Sequence, residues 1–187
     1  MLKIGILGIG QVSPNLLSEV SRGLVEVFPD STCKVVKDFL AVPEEALNKK
    51  RNQYNSTVIL AGIQNFTFNQ KEFHRVLGIV DVDVYASGLN YVFGEAYLSG
   101  PAGLISLWRL KPEFYGEEPD SGAFKLRILK EAVHELGHTL GLQHCTHTYC
   151  VMRFSNSIFD VDKKQTLLCD QCYLTASLAI NRMDRQP

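Results

Sequence analysis

Between residues 134 and 144 the chain reads His134-Glu135-Leu136-Gly137-His138-Thr139-Leu140-Gly141-Leu142-Gln143-His144, which gathers three imidazoles and a carboxylate into one short stretch. The spacing dictates local structure. Residues four apart share a helix face, so a helix through His134 and His138 lets both rings bind one ion, with Glu135 beside them where a metal-bound water would lie. Gly141, which has no Cβ, can adopt the left-handed conformation that ends a helix, swinging His144 back under the same ion as a third ligand. The fourth position stays open for water. The bland alternative, histidines satisfied in a core, covers a chance His-Glu-x-x-His match but not the added Gly141 and His144. Periodicity agrees with a helix. Leu126, Leu129, Val133, Leu136 and Leu140 fall on one face, and Arg127, Glu131, His134 and His138 fall on another. The first face is expected to pack and the second to look into a cleft.

The ligand types set the chemistry. Three histidines leave zinc one exchangeable site, where the pKa of water falls from 15.7 to about 7 and a nucleophile becomes available near neutral pH. Glu135 is the natural general base, taking the water proton and delivering it to a leaving amine. Hydrolysis of a peptide bond is the reaction this arrangement serves most directly, and a peptide or protein substrate is the partner it implies. Two rival readings use the same residues: a zinc hydrolase of a non-peptide amide, and a non-catalytic metal-binding scaffold. A glutamate beside an open coordination position speaks against the scaffold.

Cysteine usage is lopsided, with Cys145, Cys150, Cys169 and Cys172 clustered and only Cys33 lying upstream. Cys169-x-x-Cys172 has zinc-knuckle spacing, and Cys145-x4-Cys150 can bring two more thiolates to the same ion. Four thiolates leave no open position, so this site is expected to be structural and to bring the count to two zinc ions per chain. A redox pair at Cys169 and Cys172, or two disulfides, are the competing readings. The N-terminus argues against disulfides: its apolar run is short and lacks a small-residue cleavage site, so it reads as a strand and the chain is expected in the cytoplasm. His147 either replaces a thiolate or is a loop residue, the second being simpler. Cys33 reads as a buried strand residue.

His134-Glu135-x-x-His138-x-x-Gly141-x-x-His144 followed by Met152 resembles the metzincin clan of zinc peptidases with its methionine turn. Most of that clan place an acidic residue after the third histidine, whereas Cys145 stands here. Together with the other three cysteines this departure resembles the archaemetzincins. The match is strong over residues 131–172, looser through Phe93-Gly94-Glu95-Ala96 to Leu110, and weak over residues 1–56. The resemblance implies a catalytic zinc on His134, His138 and His144, Glu135 as base, and Met152 as an apolar floor beneath the metal. An ordinary core methionine would be nearly the same physical statement. The implied fold is α+β (mixed α/β), a single zincin-like domain over 1–187. It has a twisted, mostly parallel sheet, one antiparallel edge strand, the active helix, and a C-terminal helix stapled by the four-cysteine zinc site. Residues 1–140 would form its upper part and 141–187 its lower part.

Elements alternate along the first half of the chain. Strands are expected at Lys3–Leu7, Lys34–Lys37, Thr57–Ala61 and Gly78–Tyr85, and helices at Pro14–Val27, Glu44–Asn52 and Gln70–Val76, a pattern that implies a largely parallel sheet covered by helices. Tyr91–Ala96 and Leu104–Leu110 read as further strands, the second at the sheet edge above the cleft. In metzincins such an edge pairs with extended substrate backbone, so Gly103, Leu104, Ile105, Ser106 and Leu107 are the substrate-binding candidates. Lys111–Gly122 reads as a solvated connector. A final helix from about Gln171 is expected to dock through Tyr173, Ala176, Ile180 and Met183.

The 187 residues suffice for one core, and a formal net charge of −1 with dispersed basic residues argues against a nucleic-acid footprint. No apolar run reaches membrane-spanning length. Oligomeric state is left open. Gly8-Ile9-Gly10-Gln11 follows a strand, but the third glycine of a dinucleotide fingerprint is missing and turn geometry explains it. Asp81 and Asp83 share a strand face and read as solvated or paired. The acceptor-like Asn55-Ser56-Thr57 and Asn65-Phe66-Thr67 are expected to be idle.

Overall fold

In the first strand Leu2, Ile4 and Ile6 bury on one face and Leu7 and Ile9 on the other, so both faces of the sheet must be covered. The computed structural model describes residues 1–28 and 30–183. In chain order the elements are β1 (Leu2–Ile9), α1 (Pro14–Val27), β2 (Ser31–Leu40), β3 (Leu47–Asn48), β4 (Gln53–Asn55), α2 (Ser56–Asn69), β5 (Arg75–Val80), β6 (Val84–Tyr85), β7 (Gly94–Ala96), β8 (Ala102–Ser106), α3 (Ser121–Thr139), α4 (Ile158–Lys163) and α5 (Asp170–Met183). The main sheet has the order β2-β1-β5-β8-β7, and a small sheet pairs β3, β4 and β6. β2, β1, β5 and β8 run parallel, and β7 is antiparallel to β8. The mixed α/β class and the single antiparallel edge strand are as expected.

α1 and α3 cover one face, where Leu17, Leu24, Ile128, Ala132 and Leu136 join one buried cluster. α2 covers the other with Ile59, Leu60 and Ile63. α2 corrects the strand expected at Thr57–Ala61. Its β-branched run suggests a strand, but the Asn55 side chain caps the helix by accepting from the amides of Thr57 and Val58, and Ile59, Ile63 and Thr67 recur on one buried face. Burial against the sheet outweighs local propensity. The expected helices at Glu44–Asn52 and Gln70–Val76 are corrected too. The first is a short 3-10 turn at Glu44–Ala46 leading into β3, and the second is a turn entering β5.

The edge position expected for Leu104–Leu110 is also corrected. β8 is an interior strand between β5 and β7, its residues Ala102–Ser106 are all buried, and Leu107 is buried beyond it. The turn closed by Gly100 N–H donating to Tyr97 O at 2.8 Å folds β7 back along β8 and takes its free side. Gly103–Leu107 therefore cannot offer backbone to a partner, and Gly94–Ala96 forms the edge. Beyond Ser106 the chain enters 3-10 turns at Trp108–Leu110 and Pro112–Tyr115.

Below the sheet, α5 docks through Cys172, Ala176 and Ile180, four residues apart, which turns Tyr173 outward instead of inward. Residues 184–187 lie outside the described residues. Among the described residues no helix is long and apolar enough to cross a membrane.

Candidate metal centres and catalytic cleft

α3 is capped by Asp120, whose carboxylate accepts from the amides of Gly122 and Ala123 at 2.9 Å each. Leu126 is exposed, but from Arg127 onward the helix is buried on nearly every side. It ends as the spacing predicts: Gly141 takes φ +89 and donates to His138 O at 2.9 Å. That turn carries His144 back to the first two histidines, with ring centroids 5.3 Å from His134 and 4.8 Å from His138.

Two carbonyls fix the first two rings. His134 Nδ1 lies 2.8 Å from Val151 O and His138 Nδ1 lies 2.7 Å from Leu142 O, so each Nδ1 carries the hydrogen and each Nε2 keeps its lone pair. The two Nε2 atoms then face each other at 3.0 Å. Two lone pairs at that distance repel unless a cation lies against both. All three histidines are shifted toward the neutral form: burial comes first for each, and the Lys164 ammonium adds to it. Neutral imidazoles whose donor atoms lie within 4.8 Å of one another suit a zinc ion with bonds of about 2.0–2.1 Å.

Glu135 follows His134 into the cleft and is buried. Burial pushes its carboxyl well above the usual range, Glu131 and Glu95 push the same way, and Lys164 opposes them. Room for it comes from Gly94 on β7, where a Cβ would fall 2.6 Å from both Glu135 Cγ and Oε1. Met152 is fully buried, and its carbonyl accepts from Cys145 N–H at 2.9 Å while the neighbouring Val151 carbonyl holds His134. The methionine turn thus contacts the first histidine directly and the cysteine site through one backbone bond.

The four cysteines of the lower part gather as a second group, with all sulfurs within 4.8 Å of one another and no disulfide formed. Cys145 Sγ and Cys169 Sγ lie 3.8 Å apart, matching the edge of about 3.8 Å for a tetrahedron with Zn–S bonds of about 2.3 Å. Burial raises the Cys150 and Cys172 thiols. For Cys169, hydrogen bonds from Cys172, Cys150 and Cys145 overcome burial and lower it. A cation bound among them would have to displace the protons that burial holds on Cys150 and Cys172, since a coordinating thiol is deprotonated. The His147 ring is exposed and stands outside this group, while its backbone N–H lies 3.4 Å from Cys145 Sγ.

Sequence reading missed the charged clamp beneath the cleft. Arg127 pairs bidentately with Asp162 at 2.7 Å, Lys130 donates to Val161 O at 3.0 Å and Asp162 O at 2.9 Å, and Lys164 lies 2.9 Å from Glu131. The last pair is buried, with side chains only 1% and 4% exposed. Only the polar residues at helical spacing on α3 hinted at it. Asp81 and Asp83 are paired, with Lys111 at 2.7 Å and Arg109 at 2.6 Å. The cleft itself is a cavity of about 780 Å³ between β7 with the loop before it and the histidines, Phe154, Asn156 and Lys164.

The chain is similar to known proteins over most of its length. The model of peptidase family M54 matches residues 18–177. An archaemetzincin of Methanocaldococcus jannaschii is 44% identical over 172 residues, covering 92% of this chain and 91% of that one. The crystal structure of archaemetzincin from Archaeoglobus fulgidus complexed with malonate superposes with a TM-score of 0.79 at 37% identity, covering 93% of this chain and 99% of that one. A zinc-dependent peptidase from Methanocorpusculum labreanum gives a TM-score of 0.83 at 27% identity, covering 92% and 99%.

Proposed function

The chain belongs to peptidase family M54, the archaemetzincins, and is a zinc metallopeptidase, and we propose that His134, His138 and His144 hold its catalytic ion while Glu135 serves as the base. The observation that carries this assignment is the pair of facing Nε2 atoms of His134 and His138, 3.0 Å apart, with Glu135 buried beside them. When bound, zinc supplies Lewis acidity that polarises a carbonyl and acidifies water.

The chain's own residues do the rest. Val151 and Leu142 carbonyls orient two imidazoles, as partners of metal-binding histidines commonly do. Glu135, whose carboxyl is raised by burial, takes the proton of the attacking water and returns it to the leaving amine. Met152 closes the floor beneath the rings. β7 ends the sheet beside Glu135, so its outer edge, Gly94–Ala96, offers backbone groups to an extended peptide. Cys145, Cys150, Cys169 and Cys172 hold a second, structural zinc that fixes the chain just after His144. Residues 1–187 work as one peptidase unit, with the sheet and α3 above the cleft and the methionine turn, cysteine site and α5 below it.

A peptide-cleavage assay with and without chelator, run beside Glu135→Ala and Glu135→Gln, tests the reading. Chelation abolishes cleavage, and both variants keep their zinc while kcat falls by about 10²–10⁴. Full turnover in either variant refutes the role of Glu135.

A further inference from the structure

The two walls of the cleft are joined by one side chain. Tyr91, on the wall leading into β7, donates its hydroxyl to the backbone carbonyl of Asn156 on the opposite wall at 2.6 Å, and both residues line the cavity. Each end of this bridge is held. The Arg109 guanidinium lies 4.2 Å over the Tyr91 ring and is itself fixed by Asp83 at 2.6 and 2.8 Å, while Phe93 packs edge-on with centroids 5.4 Å apart. Across the cleft, Asn156 N–H donates to Asp160 Oδ2 at 3.1 Å, and Ser157 shares that carboxylate in the capping box of α4.

The bridge stands close to the chemistry. Gly94 lies directly against Glu135, and Tyr91 is three residues earlier on the same rim, a reach of roughly 11 Å at most. In the other direction the rim turns at Ser99, which donates to His138 O at 2.9 Å. We propose that the Tyr91–Asn156 hydrogen bond is a strap that determines substrate length, leaving room for about three residues between the scissile bond and that end of the cleft. The substrates are therefore peptides with a free terminus within about three residues of the cut, and chain interiors and closed loops are poor ones. This rests on the peptidase reading and on pairing with β7.

The test uses the zinc-loaded full chain with linear peptides, long and short, and the same sequences cyclised head to tail, with cleavage sites read by mass spectrometry. Within each enzyme the rate on cyclic peptide is divided by the rate on its linear form. In the wild type the cuts in long peptides fall within three residues of one terminus and cyclic peptides are cut slowly. Tyr91→Phe keeps the ring under Arg109 and deletes only the bond, so the cyclic-to-linear ratio rises about three- to tenfold. Tyr91→Ala, which also clears the ring, raises it further. Even cutting along long peptides by the wild type, or a ratio unmoved in both variants, overturns the strap. Failure of the wild type on every linear peptide overturns the peptidase reading, and the strap with it.

Discussion

Gly94 and Glu135 share a space that only a glycine leaves open: a Cβ at residue 94 would fall 2.6 Å from the Glu135 carboxylate oxygen and 2.6 Å from the Leu104 carbonyl to which β7 is paired. One obstacle is the proposed base and the other is backbone, so Gly94→Ala has to displace one of them. The expected result is a kcat lower by about 10²-fold with zinc content unchanged, since a displacement near 1 Å suffices for such a loss. Wild-type kcat in Gly94→Ala, read alongside metal analysis, would show that the close approach is unimportant.

The buried Glu131–Lys164 pair predicts a non-additive stability pattern. Lys164→Met strands the Glu131 carboxylate and is expected to cost about 3–5 kcal/mol in denaturant unfolding, whereas Glu131→Leu with Lys164→Met removes both charges and recovers most of that loss. Equal losses in the single and double variants would mean that the pair acts through packing alone.

Thiol reactivity separates the cysteine site from Cys33. In the zinc-loaded protein the four clustered sulfurs resist alkylation, and a chelator releases them together. Burial raises the Cys33 thiol to about 11, so at pH 8 it stays protonated and reacts slowly even then. Counting modified cysteines by mass before and after chelation checks this, and two fast thiols without chelator would favour a redox pair.

The three ligand histidines make the metal-free chain sensitive to acid. Their folded-state pKa values lie below the ordinary 6.5, so below that pH the unfolded chain binds protons that the folded chain refuses. Stability is then present above about pH 6.5 and is lost as pH falls below it. The Glu135 carboxyl, raised by burial, binds its proton earlier in the folded chain and offsets about one of the three, leaving a slope of up to about two protons. Urea midpoints of chelator-treated protein between pH 7 and 5 measure this, and a flat profile contradicts it.

How much could be read beforehand depends on range. α1 lies over Pro14–Val27 as its amphipathic pattern predicts, and the turn at Gly141 and the gathering of the histidines and cysteines follow from short spacings that fix which atoms can meet. β7 and β8 were readable as strands but not in their order, because order depends on which strand folds back, a choice no local pattern encodes. The β-branched run from Thr57 masks α2 in the sequence, although its cap at Asn55 and the spacing of Ile59 and Ile63 mark a helix. The Glu131–Lys164 pair and the Tyr91–Asn156 bond join distant segments through ordinary surface-type residues, so only the folded chain shows them.

The central claim is that this chain holds an ion on three imidazoles with a position left for water. Zinc-edge anomalous scattering from crystals of the zinc-loaded protein tests it most directly. The expected map has one peak about 2.0–2.1 Å from nitrogens of His134, His138 and His144 with no fourth protein donor, and another about 2.3 Å from the four cysteine sulfurs. A histidine site without a peak, or one capped by a further protein ligand, would contradict it.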